Sequence, residues 1–434
     1  MVRGYNYVVD MRAFIDRSVE GVYRLFAFSV PFAVIAIPLG SYYFSLATFF
    51  LLVLDILFLL RGRFISTPLA SVTLFLAWCL LAAVPRLSVG TYLPSLLALS
   101  TMLIPLVVSI PDVIRPQKII QALIYGLIGS FLLAAYDVLV NVGLPPLTEI
   151  FSGVGLWGTE AIQESVYFGI YRAKSAQTEP SHYAHYLAFT YAILDQADRK
   201  GMRVPRARLL KTAITFFIFA TVSLSGLIMF VGYLGMVGVI EWRQRILKKL
   251  FSPNFWALLP FLAFAGLLIA EFYGEGIAKY VSWTFGRLDD AITAVQLGLV
   301  QGSEASRARS ATIFFEYWAS QDWWGALVGE GYGNQEEWLV DNFGHLGGNI
   351  SFARGSVHNN FAYVGITTGV MGFLLYVFNI LVFVKKRYYV PVSIFGIWVL
   401  GHFAMGYLTF YRFWWPLILG IVIFKIRRKE EHGG

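Results

Sequence analysis

Stretches of about twenty nearly uninterrupted apolar residues recur along this chain, the length an α-helix needs to cross a bilayer core of about 30 Å. Twelve candidates are read, at roughly 22–39, 42–60, 66–84, 91–110, 118–140, 181–196, 210–225, 226–241, 254–271, 358–383, 388–408 and 411–426. The seventh and eighth are short and joined by Ser223-Leu224-Ser225-Gly226, so a single long helix is the alternative there. Composition agrees, with 57% hydrophobic and 14% charged residues, against about 45–50% and about 25% in ordinary soluble proteins. A water-surrounded core cannot hold that share of apolar side chains, so lipid must cover many of them. The one cysteine, Cys79, lies in an apolar run and excludes a disulfide framework or a cysteine-built metal site. The expected fold class is an all-α polytopic membrane protein with about 12 transmembrane helices.

The charges give an independent test. With the N-terminus in the cytoplasm, 25 of the 34 Lys and Arg residues fall on the inner side. They include Arg61 and Arg63, Arg115 and Lys118, the run from Arg199 to Lys211, and the tail from Lys425 to Lys429. The short outer loops carry only Arg86 and Arg412. That asymmetry follows the positive-inside rule and expects both termini in the cytoplasm. The net charge of +8 is therefore a topology signal and not a nucleic-acid footprint. The first apolar run has no small-residue cleavage site behind it and reads as a retained span.

Two outer segments are too long to be connectors, 141–180 and 272–357. The second holds ten Asp or Glu against five Lys or Arg. Function concentrates on long loops held by a rigid scaffold, which expects the chemistry on the outer face. The organisation expected is 1–271 (spans one to nine, with the loop 141–180), the large loop 272–357, and 358–434 (the last three spans and a basic tail).

The candidate motifs sit on those loops. Gly329-Glu330-Gly331-Tyr332-Gly333 is a tight turn on the plain reading and a phosphate-wrapping loop on the functional one. His358-Asn359-Asn360-Phe361 opens the tenth span, with Gly369 and Gly372 three apart inside it, a spacing that suits close helix packing. Asn359 or Asn360 serves as a helix cap on the plain reading; on the functional one His358 is a base at the membrane surface. Ser303 to Trp318 reads as an amphipathic helix in which Arg307 and Arg309 point to opposite faces, Arg309 sharing the inward face with Ile313 and Glu316. The first outer loop closes with Arg172, Lys174 and Glu179 ahead of Pro180-Ser181-His182. Arg172 or Lys174 suits an anionic lipid group, because guanidinium grips phosphate through two parallel hydrogen bonds. His182 and His185 share a helix face at metal-ligand spacing but lack a third ligand nearby, so no metal is expected. Asp55 and Asp137 are the intramembrane acids, too few for an ion-coupled transporter of the usual kind.

In this order, these pieces resemble the O-antigen polymerase and O-antigen ligase superfamily of bacterial membrane glycosyltransferases. The resemblance rests on the alternating glycines 329–333 followed by His358-Asn359-x-Phe361 with Gly369 and Gly372, on Arg309 about twenty residues before the glycines, on Arg172 through Glu179-Pro180-Ser181, and on Ser223-Leu224-Ser225. The family commonly continues that last element with an arginine; this chain has Gly226, and Arg172 is the substitute. The resemblance implies a GT-C-like helical membrane fold in the bacterial inner membrane, with the active site facing the periplasm. It implies metal-independent, inverting glycosyl transfer without a cofactor, from an undecaprenyl-pyrophosphate-linked glycan donor to a glycan acceptor. His358 would be the base. Arg309, Arg172, Lys174, Arg307, Asn359, Glu179, Gly329, Gly331 and Gly333 would bind substrate or pyrophosphate. Polymerisation of repeat units, with room for a chain-length regulator, is the leading expectation. Ligation to lipid A-core is the alternative, and a lipid-linked oligosaccharide flippase the third reading.

Overall fold

The computed structural model describes residues 2–33, 35–39, 42–61, 68–84, 89–107, 114–141, 143–145, 166–167, 170–177, 179–221, 223–241, 310, 312–332, 334–344, 357, 359–385, 390–404 and 411–432. The ninth candidate span, Arg307, Arg309, Gly333 and His358 lie outside them.

The described chain is predominantly helical. It opens with α1 (Val2–Ser29), a hairpin of β1 (Ala36–Leu39) and β2 (Tyr42–Ser45), and α2 (Leu46–Arg61). Next come α3 (Pro68–Ala83), α4 (Val89–Val107), α5 (Pro116–Val140) and a second short hairpin, β3 (Val166–Tyr167) with β4 (Ile170–Tyr171). The chain continues through α6 (Pro180–Arg199), α7 (Ala207–Ala220) and α8 (Leu224–Glu241). Three short helices follow in the long acidic segment, α9 (Ile313–Ser320), α10 (Trp323–Val328) and α11 (Gln335–Phe343). The last three are α12 (Asn360–Lys385), α13 (Val392–Ala404) and α14 (Tyr411–His432).

Among the described residues, two helices are long and apolar enough to cross a membrane, Pro116–Val140 and Asn360–Val382. Shorter apolar helices span Ser71–Ala82, Leu97–Leu106, Leu224–Val239, Val392–Phe403 and Arg412–Phe424. The first candidate span, 22–39, is not one helix. Helix α1 stops at Ser29, and the chain turns into a hairpin in which Ala36 pairs with Ser45. Pro31 and Pro38 account for this: neither has an N–H to give a helix, and each disfavours helical geometry in the residue before it.

Helix α6 lies in the middle, packed against α7, α8, α13 and α14, with nearly every residue from Pro180 to Ala197 buried. Helix α14 packs on α4, α5, α6 and α13 and buries Trp414 and Trp415. Other helices turn large apolar side chains outward, among them Leu60, Leu132 and Val239, each about 70% exposed.

Ion pairs collect at one end of the bundle. Asp16 meets Arg61 at 2.7 Å, and Glu20 binds Lys118 at 3.0 Å while accepting the Arg115 amide. Gln117 donates to the Arg203 carbonyl, and Asp195 takes Arg199 at 2.6 Å, Lys211 at 3.0 Å and the Tyr233 hydroxyl at 2.7 Å. Six basic residues that the charge pattern assigns to one side thus share one end. The segment from Arg172 to His182 occupies the opposite end, where the first turn of α6 meets α14 through His182 and Arg412.

Candidate functional site

Helix α12 is broken. Gly369 has φ 62° and ψ −169°, a conformation essentially reserved for glycine, so residues 360–368 form a separate half-helix. A helix end leaves its last four carbonyls without intrahelical partners. Here all four find outside donors. Trp318 Nε1 donates to Gly365 O at 2.9 Å, the Glu330 amide to Ile366 O at 2.9 Å, the Gly331 amide to Thr367 O at 2.9 Å, and Trp78 Nε1 to Thr368 O at 2.9 Å. Each carbonyl left bare would cost about 1–3 kcal/mol, and more in hydrocarbon.

This arrangement gives Gly329 and Gly331 a structural role. Gly329, at φ 83° and ψ −173°, lies so close to Ile366, Thr367 and Gly369 that no Cβ fits. Its own amide donates to Gly325 O at 2.8 Å. The amides of 329, 330 and 331 are therefore all spent within the protein, and Gly329 and Gly331 act as a dock for the broken helix instead of a phosphate cradle. Gly372 packs closely on Trp78, as its spacing suggests, whereas Gly369 is the break itself.

Asn359 caps α12. Its Oδ1 accepts the Phe361 amide at 2.8 Å and the Ala362 amide at 3.1 Å. Phe361 stacks on His402 with ring centroids 4.8 Å apart, tying the first turn of α12 to α13.

The other group gathers where the first outer loop enters α6. Asp137, three residues before the end of α5, is fully buried, and its Oδ2 accepts the amides of Lys174 at 2.9 Å and Ser175 at 2.7 Å. Ser175 has φ 54° and donates its hydroxyl to Ser130 O at 2.9 Å. Gln177 donates to Pro31 O at 2.9 Å, so residues 173–177 form a buried loop pinned to α5 and to the turn that follows α1. Lys174 lies inside this loop, 2% exposed. Asp137 is thus a structural anchor for that loop. Asp137→Ala is expected to lower stability by about 3 kcal/mol, because two buried amides lose their acceptor and the buried Lys174 loses a nearby opposite charge. Asp137→Asn, which keeps an oxygen, should lose less; thermal unfolding of the purified protein measures both.

Arg172 sits at the C-terminal end of α7. Its Nε donates to Thr221 O at 2.8 Å, and the Ala173 amide donates to Ala220 O at 3.2 Å. A cation is favoured there by the helix dipole. Gly226 packs so tightly on Ala184 of α6 that no side chain can stand at 226. Glu179 precedes α6 and accepts the Ser181 hydroxyl at 3.0 Å.

The two histidines of α6 diverge. His182 contacts Arg412 of α14 at 2.7 Å, and His185 contacts Ser225 of α8 at 3.0 Å. Each is engaged by a different helix, so they do not converge on a shared metal. The inward face proposed for α9 is also corrected. Ile313 is buried but Glu316 is exposed, while Phe314 and Tyr317 face inward. Phe314 packs on Phe373 of α12 at 5.0 Å.

No protein-family model matches the chain, and no curated protein does. Sequence reading missed the anchor role of Asp137, the two tryptophans that serve the α12 carbonyls, and Asn360, which it weighed only as a cap. An acid within an apolar run was the available signal for the first. The tryptophans gave none.

Proposed function

We propose that the chain is a multi-pass inner-membrane glycosyltransferase that polymerises undecaprenyl-pyrophosphate-linked repeat units into a surface polysaccharide on the periplasmic face. The observation that carries this reading is the docking of residues 329–331 onto the half-helix that Asn359 caps, the residue after His358 in sequence. Two motifs about thirty residues apart in the resemblance become one structural unit. The outward leucines and valines, the two long apolar helices and the grouped basic residues support a lipid setting. Exposed Trp323 and Trp324 on α10 suit a headgroup layer.

The proposed chemistry needs little from the protein. The attacking sugar hydroxyl is a poor nucleophile, and His358 takes its proton. The undecaprenyl-linked pyrophosphate leaves readily once fixed positive charge neutralises it, the role given to Arg309 and Arg172, with Arg307 close to Arg309 in sequence; Lys174, buried beside Asp137, is withdrawn from that role. The test is the length distribution of undecaprenyl-linked glycans in cells lacking the protein. Single repeat units stranded on the outward face are expected. Long finished chains left on lipid would assign the ligase reaction instead, and an unchanged distribution would refute both.

A further inference from the structure

Asn360 is the first residue of α12 and is fully buried, yet neither its Oδ1 nor its Nδ2 has a hydrogen-bond partner. The Nδ2 of Asn359, 1% exposed, is likewise buried without one, its Oδ1 being used by the cap. Two adjacent residues thus hold three buried polar atoms unmet, each of which disfavours the folded state. Unsatisfied buried groups on this scale call for an explanation, and a ligand that completes them is one. The helix does not need Asn360, because Asn359 already caps it and the Tyr363 amide already bonds Asn359 O at 2.9 Å.

The unmet set is two N–H donating groups and one carbonyl acceptor, with no formal charge. That matches a neutral partner that both accepts and donates, such as a sugar hydroxyl or acetamido group, better than it matches a phosphate. Aromatic rings are close by. Tyr363, one helical turn from Asn360 on the same face, packs edge-on against Tyr332 at 5.5 Å, and Phe361 lies on His402. We infer that the Asn359 and Asn360 amides form the recognition edge for a neutral sugar of the glycan that is transferred or extended. This inference rests on the glycosyltransferase reading and adds to it a specificity residue, Asn360, beside the proposed base in sequence. A site built to hydrogen-bond a substrate group rejects analogues lacking it strongly, because its own polar atoms stay unpaired.

The experiment compares wild type with Asn360→Leu, an apolar replacement of similar size. Two quantities are read: thermal unfolding with and without free repeat-unit oligosaccharide, and turnover of lipid-linked repeat units extracted from cells lacking the protein. Removing unmet polar atoms should leave the unliganded melting temperature at or above that of wild type. The sugar-induced rise in melting temperature should vanish, and kcat/KM should fall at least about 100-fold. Wild-type turnover and sugar response in the variant would overturn the inference and leave a water site. A marked fall in unliganded stability would overturn it too, by giving Asn360 a structural role. If wild type binds the sugar through Asn360 but turns nothing over, the glycosyltransferase reading fails and the recognition site stands. If wild type neither binds nor turns over, both fail.

Discussion

Gly369→Ala is expected to destabilise the protein by about 3 kcal/mol or more and to abolish its activity. Two effects add. At φ 62° and ψ −169° any residue with a Cβ is strained by about 1–3 kcal/mol. The new methyl would also collide with the backbone of Ala326 and Leu327, which are rigid helix atoms and not flexible side-chain ends. Relief of either requires α10 to lift away from α12. That would pull the Glu330 and Gly331 amides off Ile366 and Thr367, exposing carbonyls that no water reaches. Gly329→Ala meets the same obstacles from the other side and should behave alike. Gly235→Ala is the control. It lies inside α8 with open space where a Cβ would stand, and should be neutral or stabilising by about 0.5–1 kcal/mol. Thermal unfolding of the three variants in one detergent gives the comparison. Equal behaviour of Gly369→Ala and Gly235→Ala would refute the half-helix account.

His358→Ala is expected to remove glycan product while the protein inserts and melts as wild type does. A positioned general base contributes about 10²–10⁴ in rate, and an alanine cannot supply it. The helix that follows keeps its cap, since the first free amides of α12 bond Asn359 and not residue 358. Stability should therefore move little. Single-turnover conversion of lipid-linked repeat units measures the loss, and wild-type turnover in this variant would remove His358 from the mechanism.

Where the helices lie was largely readable from apolar length. The candidate at 118–140 and the helix Pro116–Val140 nearly coincide, because Pro116 supplies the ordinary start signal. The opening segment was misread because hydropathy ignores which residues can donate. Residues 22–39 are apolar but for Tyr23, Arg24 and Ser29, yet Pro31 and Pro38 turn them into a helix end and a strand. The site was legible in part. Spacing marked Gly369 and Gly372 as a pair, but spacing reports residue types and not backbone angles, so the break at Gly369 was invisible. Trp78 reaches the Thr368 carbonyl across 290 positions of sequence, and no local pattern encodes that. That Gly226 has no room for a side chain became visible only once Ala184 stood beside it.

The half-helix also imposes an order of assembly. Trp78, Trp318, Glu330 and Gly331 all leave the ribosome before the carbonyls they serve at 365–368. When residues 360–368 emerge, their docking partners are already synthesised and waiting, and their exposed backbone is covered on arrival. Reversing that order, by circular permutation that places α12 ahead of α9 and α10, would deliver a half-helix with four bare carbonyls to the bilayer. A permuted chain would thus carry the same contacts in its final fold and still fail at insertion.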